Sequence, residues 1–386
     1  MTAATAAERP PRAGVAAPEA RLGSWTGHQL NPRRNSLNAI RLVLALAVLL
    51  HHTYPLGGFE GHPTIGGVSL GAWAVYSFFV LSGYLITGSR DRLTLGPYLV
   101  ARAGRILPAF WVCLVVTALL LAPADYIRAE GTLDGFLTQP GTTPAAYIWM
   151  NAGLEIRSYS IGTTLGDTPY PSAWNGSLWT LYYEFLCYLL VGVLGAAAWW
   201  RRSILAAATA FGVALLFKVM YPSLVSYIGE GPDPMYLADL LPFFLAGALV
   251  YRLRGSLPLD LKGAIGALAL VIVSLDLLPG WGLHAAAPAL AYLILAIGAL
   301  VPSHQALRTH DLSYGVYIYA FPAQQLLAAF ALPGAGIVVY TLASTVGALL
   351  LAAASWFWVE RPTMARTRAA LRGARNEALE ARSDAA

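Results

Sequence analysis

Charge is what this chain is short of. Asp, Glu, Lys and Arg make up 12% of its 386 residues, against about 25% in an ordinary soluble domain. With 57% of residues hydrophobic, no soluble core could hide the apolar surface, so composition excludes a soluble globular protein and points to a polytopic membrane protein. Cysteine is nearly absent. Cys113 and Cys187 both fall inside apolar runs, so they report no redox compartment and no disulfide is expected. Also missing, in any fitting context, are a G-x-S-x-G elbow, a Walker A loop, a zinc-spaced cluster and G-x-G-x-x-G. Metal and nucleotide-hydrolysis mechanisms are therefore disfavoured, and no metal ligands are expected. The amino terminus lacks the apolar stretch of a cleavable signal: residues 1–35, rich in Ala, Pro and Arg, read as a disordered basic cytoplasmic tail. The net charge of +5 does not imply nucleic acid, because the basic residues lie in short loops and tails, as insertion requires.

Windowed apolarity predicts an all-α membrane protein of about ten transmembrane helices, near 37–54, 69–88, 105–122, 175–197, 203–220, 236–252, 262–278, 285–301, 312–331 and 335–359. The domain plan is a membrane domain over 36–360 between the tail at 1–35 and a basic cytoplasmic tail at 361–386. An apolar piece near 145–153 is too short to span and reads as re-entrant or interfacial. With both termini cytoplasmic, every Lys and Arg falls in inner loops or tails except Arg41 and Lys218 within spans and Arg128 and Arg157 outside. That asymmetry sets the orientation. The longest loop, about 123–174, then faces out, and its Gly, Pro, Thr and Tyr content suits a segment covering a substrate.

The first apolar run carries the polar residues least expected in lipid. It reads Leu37-Asn38-Ala39-Ile40-Arg41, nine apolar residues, then His51-His52. An arginine at the centre of a span costs about 2.5–3.5 kcal/mol on insertion scales and marks a pathway or a site. Eleven residues separate Arg41 from His52, which is roughly 20° past three helical turns and about 16 Å of rise. The two share a face, and His51 falls about 80° off it. His52 is therefore the candidate general base, since a neutral imidazole can accept a hydroxyl proton near neutral pH; a merely polar interfacial histidine is the plainer alternative. Arg102 and Arg105, at i and i+3 near the inner mouth of the third span, share a face and can grip phosphates bidentately, although positive-inside anchoring explains them as well. Pro108 follows directly and suggests a kink. Glu184, about nine residues into the fourth span, needs a partner, and a structural ion pair with Arg41 competes with a catalytic role. Asp239 and Asp276, nearer span ends, read as structural. Ser82-Gly83 reads as a close helix approach.

Taken together these residues resemble the acyltransferase family 3 of integral membrane proteins, which includes O-antigen and exopolysaccharide O-acetyltransferases. The resemblance covers most of 36–364. It rests on the Leu37–Arg41 run with His52 eleven later, Phe78-Phe79-Val80-Leu81-Ser82-Gly83-Tyr84-Leu85-Ile86, Arg102-Ala103-Gly104-Arg105-Ile106-Leu107-Pro108, Ser177-Leu178-Trp179-Thr180-Leu181-Tyr182-Tyr183-Glu184, Leu312-Ser313-Tyr314-Gly315-Val316-Tyr317 and Glu360-Arg361-Pro362. It implies a multi-pass protein of the cytoplasmic membrane that takes an acyl group, acetyl above all, from cytoplasmic acyl-CoA as donor substrate, with no permanently bound cofactor, to a hydroxyl of an extracytoplasmic or lipid-linked glycan. The family's arginine and histidine map to Arg41 and His52, its R-x-x-R to Arg102 and Arg105, and its glutamate to Glu184. CoA phosphates would dock on Arg102 and Arg105, and His52, oriented or charge-balanced by Glu184, would take the acceptor proton. Arg41 would stabilise the oxyanion or hold the CoA arm; direct transfer and an acyl-enzyme relay both fit. Two departures stand out. Ala320 occupies a place where many members carry histidine, and no hydrolase-like domain follows the last span, so acceptor handling is expected from the membrane domain or a partner. A lipid or secondary-metabolite acceptor, a secondary transporter of a small organic solute and a non-catalytic sensor are the competing readings. Against the transporter, no paired, Gly/Pro-interrupted segments appear in matching halves.

Overall fold

The computed structural model describes residues 30–31, 34–228 and 231–384. The expected tail over 1–35 lies almost wholly outside them. The described chain is helical nearly throughout; the departure from all-α is a hairpin of two-residue strands, Thr64–Ile65 and Val68–Ser69, turned by Gly66 and Gly67 at positive φ. All ten expected segments fall on helices. Six helices are long and apolar enough to cross a bilayer: Leu37–Gly57, Leu70–Arg92, Leu95–Glu130, Ile204–Tyr227, Pro232–Leu253 and Ile337–Ala374. The other four are shorter, at Trp179–Leu194 (16 residues), Leu261–Leu277 (17), Ala287–Leu300 (14) and Ser313–Ala329 (17). By length and composition alone, six spans rather than ten are supported.

Small residues bring the helices together. Gly83 and Gly247 let the Leu70–Arg92 and Pro232–Leu253 helices touch backbone to backbone: a methyl at Gly83 would strike the Phe244 carbonyl oxygen, and one at Gly247 the Val80 carbonyl oxygen. This is the close approach expected of Ser82-Gly83, and it exploits dispersion contacts where lipid removes the hydrophobic drive. The Ser69 side chain accepts from the Ala72 N–H at 3.2 Å, capping the Leu70–Arg92 helix, and Asp260 accepts from the Gly263 N–H at 2.7 Å at the start of the Leu261–Leu277 helix.

Two π turns re-phase long helices, at Thr117–Leu121 and Trp356–Glu360. The second ends on Glu360, whose side chain is fully buried while Trp358 is 80% exposed. Beyond it the segment expected as a tail is helical over Arg361–Asp384 and runs beside the Leu95–Val116 helix.

The long loop is ordered by buried polar side chains. Its apolar piece near 145–153 is the short helix Pro144–Asn151. The Asn151 side chain accepts from the N–H groups of Arg157 and Ser158 and donates to the Ser158 carbonyl. Asp125 accepts from the Leu165 N–H at 2.7 Å and pairs with Arg128. Gln325, from the Ser313–Ala329 helix, donates to the carbonyls of Tyr170 and Ala173, both at 2.7 Å. These bonds pin the loop over one end of the bundle, where Tyr170 meets Phe321 and Phe321 meets His52.

Candidate active site

At the opposite end of the first helix sits a cluster of four charges. Asp311, in the turn before the Ser313–Ala329 helix, accepts from Arg41 at 2.8 Å and from Arg105 at 2.6 Å, and Arg105 donates to Glu360 at 3.0 Å. The Ser313 hydroxyl and N–H also donate to Asp311, and the Ser355 hydroxyl donates to Glu360 at 3.0 Å. Burial alone would push the Asp311 carboxyl up, but the two guanidiniums and the Ser313 donors outweigh it and hold the group below the usual carboxylate range. Four elements distant in sequence thus meet on two cations and two anions. Sequence reasoning missed Asp311 altogether, because it lies in a turn between apolar segments, and treated Glu360 only as part of a motif.

The cluster separates the roles of the two arginines that the sequence treats as a pair. Arg105 is committed to Asp311 and Glu360. Arg102 forms no ion pair among the described residues, and its Nε is buried without a hydrogen-bond partner. It faces a groove of about 590 Å³ walled by the third helix and the last one. A separate cavity of about 600 Å³, lined by Tyr84, Tyr251 and Arg252, contains none of the expected site residues.

Arg41 also borders a narrow cavity that it shares with Glu184, Ser313, Tyr314 and Tyr317. Glu184 is not bonded to His52 or to Arg41: its Oε1 accepts from the hydroxyls of Ser82 and Tyr188, the latter at 2.6 Å. The ion pair of Arg41 is with Asp311 instead. Val75, Thr180 and Tyr317 line both this cavity and a second one of about 210 Å³ that contains His51 and His52. At the junction the hydroxyls of Thr180 and Tyr317 are hydrogen-bonded to each other, and Tyr317 also donates to the Ser177 carbonyl at 2.9 Å.

His52 is oriented by backbone rather than by a carboxylate. Its Nδ1 lies 2.9 Å from the Val48 carbonyl one turn earlier. A carbonyl can only accept, so Nδ1 carries the proton and the Nε2 lone pair is free. The expectation that His51 points away needs correcting, since its ring lines the same cavity, 5.4 Å from His52 between centroids. It differs in support: it packs edge-on to His62 and over Gly71, and its buried Nδ1 has no hydrogen-bond partner. The cavity is completed by Trp179, Tyr76 and Asp239. Asp239 accepts from Lys218 at 2.6 Å, Tyr76 at 2.7 Å and His284 at 2.9 Å, which accounts for the lysine inside a span. Among the described residues no group of three His, Cys, Asp or Glu side chains converges as a metal site requires.

A family model described as an acyltransferase domain matches residues 34–357. The chain is similar to an O-acetyl transferase of Shigella phage Sf6, 29% identical over 346 residues, covering 87% of this chain and 97% of the phage protein. It is also similar to nodulation protein 10 of Rhizobium leguminosarum bv. viciae, 27% identical over 352 residues, covering 86% and 93% of the two chains. No solved structure matches.

Proposed function

The chain belongs to this family of membrane acyltransferases, and from that premise we propose that it moves an acetyl group from cytoplasmic acyl-CoA to a hydroxyl of an extracytoplasmic or lipid-linked glycan. The observation that carries the reading is the sequence of spaces along the first helix. An arginine-lined groove at one end is followed, past the Arg41–Asp311–Arg105 cluster, by the Glu184 cavity and then the His52 cavity beneath the ordered loop. The arrangement is one of ten spans with both termini cytoplasmic, the four short helices being completed by bilayer thinning or by neighbouring protein.

CoA docks with its phosphates on Arg102 and its thioester directed inward past Arg41. The acceptor hydroxyl enters the other cavity. His52 Nε2 takes its proton as the oxygen attacks the thioester carbonyl, the C–S bond breaks, and the proton passes to the leaving thiolate. Ester and free CoA are the products. Arg41 stands about 16 Å of helical rise from His52, too far for both to serve one carbonyl carbon, so its part is to hold the CoA arm. The hydroxyls of Thr180 and Tyr317 border both cavities; either one supplies an oxyanion donor only by giving up its present bond, Tyr317 to the Ser177 carbonyl or Thr180 to Tyr317. Glu184, fixed by Ser82 and Tyr188, holds the arm from the side facing Arg41.

Purified protein given acetyl-CoA and a glycan acceptor is expected to release CoA. Arg102→Ala should raise the donor KM roughly tenfold or more, the loss of a charge-assisted contact, with an unchanged melting temperature. Arg105→Ala should instead lower the melting temperature, since Asp311 and Glu360 lose their shared cation. Wild type that releases no CoA, or an Arg102 variant with an unaltered donor KM, refutes the assignment.

Orientation is tested separately. A single cysteine at Pro140→Cys should react with an impermeant maleimide from the extracytoplasmic side, with little background because Cys113 and Cys187 are buried. Labelling only after the membrane is opened would invert the topology.

A further inference from the structure

The groove beside Arg102 has a second set of cations that the donor reading does not use. Arg368 and Arg372, one turn apart on the last helix, line it from one side, and Arg308, on the short helix Gln305–Thr309, lines it from another. All three are exposed, whereas Arg102 is half-buried. Among the described residues none of the four is in an ion pair. The carboxylate that lines the groove, Asp311, is engaged by Arg41 and Arg105. The groove also contains two buried donors without partners, Arg102 Nε and the indole N–H of Trp356. Four uncompensated guanidiniums and two unpartnered donors among the lining residues of one groove suit a polyanion.

The direction of the path says which part of the polyanion goes where. This step rests on the donor reading above. If the thioester points inward past Arg41, the far end of the molecule lies at the exposed rim, with Arg308, Arg368 and Arg372. On acyl-CoA that end is the adenosine 3′-phosphate, a monoester carrying about −1.5 to −2 charges near pH 7; the pyrophosphate falls nearer Arg102. We propose that Arg308, Arg368 and Arg372 form a 3′-phosphate site, so that the carboxy-terminal helix is a wall of the donor pocket and the protein distinguishes CoA from its 3′-dephospho form.

Adenosine 3′,5′-bisphosphate and 5′-AMP differ only in that phosphate, and calorimetry of each against full-length protein in detergent tests the site without turnover. Wild type should bind the bisphosphate roughly tenfold or more tightly than 5′-AMP. The Arg368→Ala/Arg372→Ala variant should lose that preference, and Arg368→Lys/Arg372→Lys should keep part of it, because charge survives and the bidentate fork does not. A matching melting temperature shows that the variants remain folded. Equal affinities in wild type, failure to bind either nucleotide, or a preference that survives in the double alanine variant overturns the site. Acetyl-CoA turnover, measured alongside, separates the two readings. Bisphosphate preference without turnover removes the acyl donor reading and keeps the anion site; turnover without preference removes the 3′-phosphate site alone.

Discussion

Replacing His52 with alanine should lower acyl transfer roughly 10²–10⁴-fold, the usual contribution of a positioned general base, with donor affinity little changed. The reason is orientation as much as proximity. The Val48 carbonyl fixes the His52 tautomer and turns Nε2 into a free acceptor, and Phe321 packs against its ring at 5.2 Å. His51 is the internal control. It shares the cavity but its Nδ1 is unanchored and its ring leans on His62 and Gly71, so His51→Ala should cost far less. Both changes remove the same volume from adjacent places on one helix, so a general folding defect would affect them alike. Transfer rates of the two variants in matched detergent preparations decide the matter. Equal losses, or a worse His51 variant, would remove His52 from the role of base.

Much of this was legible in the sequence because lipid simplifies the rules. With no water to satisfy backbone groups, apolar runs must be helices, and all ten expected segments are. Polar residues inside such runs are costly, so Arg41, His52 and Glu184 stood out without any structure. Partners were less legible. The sequence offers Glu184 as a partner for Arg41, and the two share a cavity, yet the ion pair goes to Asp311, 270 residues away in a turn. A turn is where an aspartate is least surprising, so nothing in the local pattern marked it. The support of His52 was hidden for a different reason: its partner is a main-chain carbonyl, present at every position. The split between Arg102 and Arg105 depends on Glu360, which a π turn swings inward, and such insertions leave no mark on apolar periodicity. The carboxy-terminal segment reads as a tail because it is basic and lies beyond the last apolar run, yet as a helix it walls the groove that holds Arg102.

Asp311→Ala should destabilise the protein more than any other single change at this end of the bundle, by about 3–5 kcal/mol, the typical cost of stranding a buried charge. Among the described residues Asp311 is the one carboxylate that pairs with both Arg41 and Arg105. Without it a balanced set of two cations and two anions becomes two cations facing Glu360 alone, in a site where these side chains are mostly withdrawn from solvent. Its depressed pKa carries the same sign. Stability from the ionised form is present above the usual carboxylate range and is lost only as pH falls through the lowered value. Removing a cation with the anion should reverse most of the damage. Arg41→Met with Asp311→Leu leaves Arg105 paired with Glu360, a neutral remnant, and replacing a buried pair by apolar side chains is often close to neutral in stability. Melting temperatures of wild type, Arg41→Met, Asp311→Leu and the double variant form a cycle that isolates the coupling. An Asp311→Ala protein that melts like wild type would show that the cluster bears no load. A double variant as unstable as the sum of its singles would show that packing, not charge, holds this end together. The restored double variant should still be a poor catalyst, because Arg41 is also the group proposed to hold the acyl donor's arm. Recovery of stability without recovery of transfer is therefore the expected signature of a cluster that serves fold and chemistry through the same residues.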